Sequence, residues 1–155
     1  KMVKRFNEVV TDSIKAKALD MGMNLNEMPT LASIISTEAA QEEEMKIVSS
    51  VFHKRLKLKM PLGANATVQY AIGEKRRLNN NDLKIVSPYN TYSNAGLPPG
   101  PIASPGMNAI NATINPASTQ YLYFVADGKG GHVFSKNIDQ HTKAVREYIK
   151  TRNNL

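Results

Sequence analysis

The chain has 155 residues, 41% of them hydrophobic and 21% charged, the size and mix of one globular domain that can bury a core without covalent staples. It contains no cysteine, which excludes a disulfide scaffold, a thiolate metal site and a cysteine nucleophile. Twenty basic residues against 13 acidic ones give a net charge of +7; such a surface is either a plain solvated coat or a match for nucleic acid, anionic lipid or an acidic polymer.

No run of ~18 apolar residues is present to span a membrane, and no signal-peptide pattern is seen. The chain opens on Lys1 and enters a periodic segment at once, so it reads as a piece of a longer protein. Residues 1–28 are expected to form an N-terminal helix and connection, and 29–155 the main domain. Phe6, Val10, Ile14, Ala18 and Met21 recur at helical spacing, and Gly22 is a plausible stop. Asn24 with Glu27 fits a capping box for the next helix, while Pro29 is also placed to mark its first turn. The spacing predicts one long helix from about Leu31 to about Lys59, ended by Pro61 and Gly63. Asn65 is the expected cap of a short helix through Thr67, Val68 and Tyr70, closed by Gly73.

Lys75-Arg76-Arg77 and Asn79-Asn80-Asn81 read as exposed loop. From Ser87 to Pro105 the chain is rich in Pro, Gly, Ser and Asn, too long for an idle connection. Its interleaved Tyr89, Tyr92, Leu97 and Ile102 argue for an ordered binding loop. Ser104-Pro105 is read as N-cap and first residue of a helix carrying Met107, Ile110 and Ile114 and stopped by Asn115-Pro116. Tyr121–Val125 is the clearest strand, and Asp127–Gly131 turns it back into His132-Val133-Phe134 as a hairpin. A final helix carries Ile138, Val145 and Ile149. The fold class is therefore α+β: helices packed on a small antiparallel hairpin, with a long Pro/Gly-rich loop walling a groove.

On the long predicted helix, Leu31, Ile34, Ile35, Met45, Val48, Phe52 and Leu56 make one apolar stripe at 100° per residue. Glu38 falls inside it, Glu42 follows one turn later, and Glu43 and Glu44 point away. A glutamate in that position either pairs with a distant Lys or Arg, faces solvent at the stripe's edge, or is desolvated. Desolvation, helped by Glu42 at i+4, raises its pKa toward the ~6–7 that suits a group giving and retaking a proton near neutrality. His53, His132 and His141 have no metal-ligand spacing; each reads more simply as a satisfied structural histidine, although His132 follows a Gly-rich turn where it can meet a ligand. The run His53–Lys59 either contacts phosphates or complements a helix C-terminus. No metal site and no cofactor are expected.

Several segments together resemble the MltG (YceG-like) family of endolytic murein transglycosylases. These are Leu31–Ile35 with Glu38, Val51–Leu56, Met60–Leu62, Ser87–Tyr92, Gly96–Pro99, Pro101–Ala103, Pro105-Gly106, Asn115-Pro116, Tyr121–Gly128 and Gly130–Phe134. The likeness runs from about Leu31 to Val145 with its motifs in order. It implies an enzyme that cuts peptidoglycan strands internally, between N-acetylmuramic acid and N-acetylglucosamine, leaving a 1,6-anhydro end. It maps the catalytic Glu onto Glu38. It also implies a parent held in the cytoplasmic membrane with the catalytic part facing the wall, near membrane-bound peptidoglycan synthases. The chain departs from the family pattern at Ser36, where many relatives are acidic, and at Asn65-Ala66-Thr67-Val68, where many have Asp-Pro-Thr-Val. A helper carboxylate at either place is thus in doubt. In the loop, residue type makes Tyr89 and Tyr92 candidates to stack on sugars, and Asn90 and Thr91 candidates to hydrogen-bond them. Leu97 and Pro98 would shape the wall, with core packing the alternative for the tyrosines. The rival functions are an inactive glycan-binding domain and a basic nucleic-acid-binding module.

Overall fold

A computed structural model describes residues 11–153. Helix α1 spans Asp12–Asp20 and is capped by Thr11, whose hydroxyl accepts the Ile14 N–H. Ala18 from this helix is fully buried. Phe6 and Val10, expected on the same helix, lie outside the described residues.

Helix α2 spans Glu27–Glu38. Its start carries the reciprocal pair anticipated above: Asn24 Oδ1 accepts the Glu27 N–H at 2.8 Å and Glu27 Oε1 accepts the Asn24 N–H at 3.1 Å. Pro29 lies within the first turn, where a missing N–H costs nothing. Met28 to Ile35 are all buried, so α2 is the central helix.

The single helix predicted over residues 31–59 is two helices. α2 stops at Glu38, Ala39 is extended at φ −124°, and helix α3 begins afresh over Glu42–Lys57. Neither Gly nor Pro marks the break, and alanines 39 and 40 favour continuity; tertiary packing overrides them. Each half keeps its predicted phase, since Leu31, Ile34, Ile35, Val48 and Phe52 are buried while Met45 and Leu56 pack at the core's edge. Glu42 is not one turn after Glu38 on a shared stripe, however: it opens the first turn of α3 and is exposed.

Helix α4 spans Asn65–Ile72 and ends at Gly73 in the left-handed conformation. Asn65 is its first residue rather than its cap, and Ala64 in the cap position makes no side-chain bond. A 3₁₀ turn over Asp82–Lys84 interrupts the basic loop; the Asp82 carboxylate takes both guanidinium nitrogens of Arg76, at 2.6 and 3.0 Å. That contact holds the Asp82 pKa down to about 2.

Helix α5 spans Met107–Ile114 with Gly106 in the cap position. Ser104-Pro105 therefore precede the helix instead of opening it. Strands β1 (Tyr123–Ala126) and β2 (His132–Ser135) pair antiparallel with Tyr123 opposite Ser135 and Ala126 opposite His132, and helix α6, Ile138–Asn153, follows. The core is one cluster joining α1, α2, α3 and α5 with the α4 entry, and it includes Ala18, Met23 and Met28 together with Ile110 and Ile114. Phe124 seals the hairpin onto it, edge-on to Phe52 at 5.6 Å. No helix among the described residues is long and apolar enough to cross a membrane.

Candidate active site

Glu38 is the last residue of α2, and its side chain leaves the helix toward the start of α4. There its Oε1 accepts the Ala66 N–H at 3.2 Å. Three influences meet on this carboxyl. Burial raises its pKa and is the largest, the Ala66 hydrogen bond opposes it, and the charge of His132 opposes it less. The net shift is upward, so the protonated form is favoured relative to an ordinary glutamate.

A cavity of about 510 Å³ opens in front of Glu38, walled by Arg55, Tyr92, Tyr123, His132, His141 and Tyr148. Glu38 is the one carboxyl among the described residues lining it. Gly63 lies in the wall beside the Tyr92 ring and Arg55, and its φ of +62° is the left-handed conformation that favours glycine. Tyr92 donates its hydroxyl to Asn65 Oδ1. Its pKa is pushed up to about 12, by burial first and then by the negative charge of Glu38.

His132 stands on the hairpin side. Glu44, in the first turn of α3, takes the His132 Nδ1–H at 2.7 Å on one oxygen and the His132 backbone N–H at 3.1 Å on the other. A carboxylate partner favours a proton on Nδ1. Gly131 permits this approach, since a Cβ there would meet Asp127 Oδ2 at 3.1 Å and Glu44 Oε2 at 3.2 Å. Phe124 presents its edge to the imidazole at 5.3 Å. His141 stacks on Tyr123 in the same wall, ring centroids 5.0 Å apart.

Arg55 covers the Tyr123 face at 5.0 Å and donates to the carbonyls of Leu122, Pro61 and Leu62. Burial lowers its pKa. His53 meets the Thr113 carbonyl at 2.8 Å, and Lys54 donates to the Thr119 carbonyl. The first three residues of the basic run are thus engaged by backbone carbonyls, which removes them from any phosphate-binding face. His53 is the structural histidine expected from sequence.

Of the loop residues singled out as sugar contacts, Tyr92 alone shares the cavity with Glu38. Asn90 and Thr91 are buried and fully engaged. Asn90 Nδ2 donates to the carbonyls of Leu83 and Ile85, and its Oδ1 accepts the Tyr92 N–H. Thr91 Oγ1 accepts the Ala64 N–H and bonds Thr67 Oγ1, both at 2.9 Å. They set the loop against the α4 entry rather than reaching outward. Tyr89 packs on Tyr70 at 4.9 Å. Leu97 and Pro98 lie away from Glu38, Leu97 beside Met23 and His53 on another face and Pro98 buried.

Sequence reasoning missed Glu44, which periodicity sent to the outside, and the placement of Arg55, which looked like a surface cation. A pairing across 88 residues of chain leaves no local trace. Among the described residues no three His, Asp or Glu side chains gather as a metal site.

Fold and site thus define an α+β domain with one desolvated carboxyl in a groove wall. A model of the YceG-like family matches residues 1–147, and the chain belongs to that family. The endolytic murein transglycosylase of Bacillus subtilis (strain 168) is 42% identical over 153 residues, covering 98% of this chain and 42% of that protein. The protein of the same name from Streptococcus pneumoniae serotype 2 (strain D39 / NCTC 7466) is 38% identical over 149 residues, 92% of this chain and 26% of that one. A crystal structure of a YceG-like protein from Listeria monocytogenes superimposes with a TM-score of 0.80 at 40% identity, covering 84% of this chain and 43% of that one. The chain therefore spans less than half the length of these relatives.

Proposed function

We propose that this domain is the catalytic part of an endolytic peptidoglycan transglycosylase, cutting between N-acetylmuramic acid and N-acetylglucosamine and leaving a 1,6-anhydro end. The observation that carries the reading is the single carboxyl in the cavity wall, with its proton favoured by burial. A hydrolase of the usual kind needs two carboxyl groups, one as acid and one as nucleophile or base. A transglycosylase needs one that serves twice.

Glu38 first gives its proton to the glycosidic oxygen, and the bond to C1 of the muramic acid breaks. The sugar's own acetamido oxygen stabilises the developing cation. The Glu38 carboxylate then takes the proton of the C6 hydroxyl while that oxygen bonds C1. The proton returns to its starting atom, and no water enters the product. The Ala66 N–H steadies the carboxylate between the two steps. Tyr92 offers its ring to the sugar, and His132 sets the field at the carboxyl. The substrate locates the activity on the wall side of the cytoplasmic membrane, and membrane-bound synthases are the partners we expect for the whole protein.

The test is Glu38→Gln on purified murein with products read by mass spectrometry. Loss of a general acid lowers anhydro-product release at least ~10²-fold; unchanged release refutes the assignment.

A further inference from the structure

A second, larger cleft of about 830 Å³ lies against the other side of the Glu38–Ala66 junction. Thr37, the residue before Glu38, and Ala66, whose N–H holds Glu38, both line it. Its remaining walls come from the outer face of α4, the loop that follows Gly73, and Ile102. The two hollows therefore flank the Glu38–Ala66 junction, Thr37 and Ala66 lining one and their chain neighbours Glu38 and Asn65 the other.

The second cleft carries a composition that the core does not explain. Tyr70 is 48% exposed at its wall, and its ring is braced from behind by Tyr89 at 4.9 Å. A large aromatic face held rigid at the edge of a hollow is a surface for an apolar sugar face. Lys75 and Arg77 are exposed and, among the described residues, form no ion pair. Arg76 between them is engaged with Asp82 and Glu74 and anchors the loop. Gln69 adds a second tie, donating to the Arg76 carbonyl at 2.9 Å. The free cations are thus carried on a fixed loop.

We propose that this cleft holds the strand beyond the scissile bond, with Tyr70 against a sugar and Lys75 and Arg77 on substrate carboxylates. It rests on the transglycosylase reading and adds the second half of the groove, which cutting inside a strand requires. The carboxylates come from the lactyl group of a denuded strand or from the stem peptide.

The test is equilibrium binding in the cold, with full-length chain carrying Glu38→Gln. Three ligands are compared: stem-bearing soluble strands, denuded strands with free lactyl groups, and uncharged chitin oligosaccharides. Reversing two exposed charges, Lys75→Glu with Arg77→Glu, raises the Kd for an anionic strand roughly three- to tenfold. Chitin binding stays at the parent value, and added salt shrinks the difference. Tyr70→Ala weakens all three ligands. A loss confined to stem-bearing strands assigns the cations to the peptide, and a loss on denuded strands assigns them to the lactyl group. Parent-like affinity for both anionic ligands, or an equal loss on chitin, overturns the proposal. Because Glu38→Gln tests the chemistry and the charge reversal tests the cleft, either can fail alone.

Discussion

Replacing Glu44 by alanine tests whether this residue builds the hairpin side of the site. Its carboxylate holds His132 by two hydrogen bonds, 2.7 Å to the ring and 3.1 Å to the backbone N–H. The two side chains are only 12% and 18% exposed, for His132 and Glu44 respectively, so water replaces the lost acceptor poorly. A bond to a charged acceptor contributes roughly 1–1.5 kcal/mol after allowance for this partial exposure, and the pair together roughly 2–3 kcal/mol. For a domain of this length each kcal/mol moves the melting temperature by roughly 2–4 °C, giving a fall of roughly 4–12 °C. Thermal unfolding followed by circular dichroism measures it. Nitrogen chemical shifts of the imidazole supply a second readout, because the carboxylate is what keeps the proton on Nδ1. In the parent, Nδ1 reads as protonated; in Glu44→Ala that preference is lost. A melting temperature within about 2 °C of the parent, with the His132 tautomer unchanged, would refute the reasoning.

Glu38 links pH to both stability and activity. Its folded pKa lies above its ordinary value of 4.5, so the folded chain binds that proton more tightly than the unfolded chain. Stability is then lost as pH rises from the unfolded value through the folded one, at about 1.4 kcal/mol per unit of difference. Glu38→Gln, which carries no charge, melts higher than the parent at neutral pH, and the gain disappears below about pH 4. A melting difference that stays flat from about pH 4 to pH 8 contradicts this. Under the proposed mechanism, release of anhydro product by the parent falls as pH rises through the folded Glu38 value, because the first step needs the acid. Thr91→Val leaves the buried Ala64 N–H without its acceptor and costs roughly 1–3 kcal/mol, seen as a lower melting temperature with glycan affinity unchanged; weaker glycan binding without loss of stability would return Thr91 to the list of contacts.

What could be read from the sequence was set by how local each cause is. The Asn24–Glu27 box, the Gly73 stop and the hairpin come from neighbouring residues, and all are present in the structure. The break after Glu38 lies where distant segments bind the chain: Glu38 accepts the Ala66 N–H at the start of α4, and Gln41 donates to the Gly130 carbonyl in the hairpin turn. Alanines 39 and 40 are silent about it, and the only local trace is the acidic triplet 42–44, which suits the first turn of a new helix. The same holds at the site. Glu38 was legible because a carboxyl on an apolar stripe is an anomaly at short range. Asn90 and Thr91 were misread because residue type alone cannot tell an outward hydrogen bond from one that closes a loop. Glu44 was invisible because its partner is far along the chain.

The broken helix gives Glu38 its chemistry more directly than the apolar stripe does. In the uninterrupted helix predicted from sequence, residue 38 would lie mid-helix, where the backbone dipoles on either side largely cancel. Ending α2 at Glu38 places the carboxyl at the negative end of one helix, which favours the proton. Starting α4 at Asn65 points the positive end of another at the same group, and the Ala66 N–H favours the carboxylate. In the proposed mechanism the group first gives a proton and then takes one back, which needs both forms within reach during one turnover. Burial alone would hold the acid and resist ionisation; the α4 terminus alone would hold the carboxylate and provide no acid. The Ala66 N–H at the α4 start thus opposes burial, which still sets the net upward direction of the shift, and Glu38 is the one carboxyl among the described residues lining the cavity.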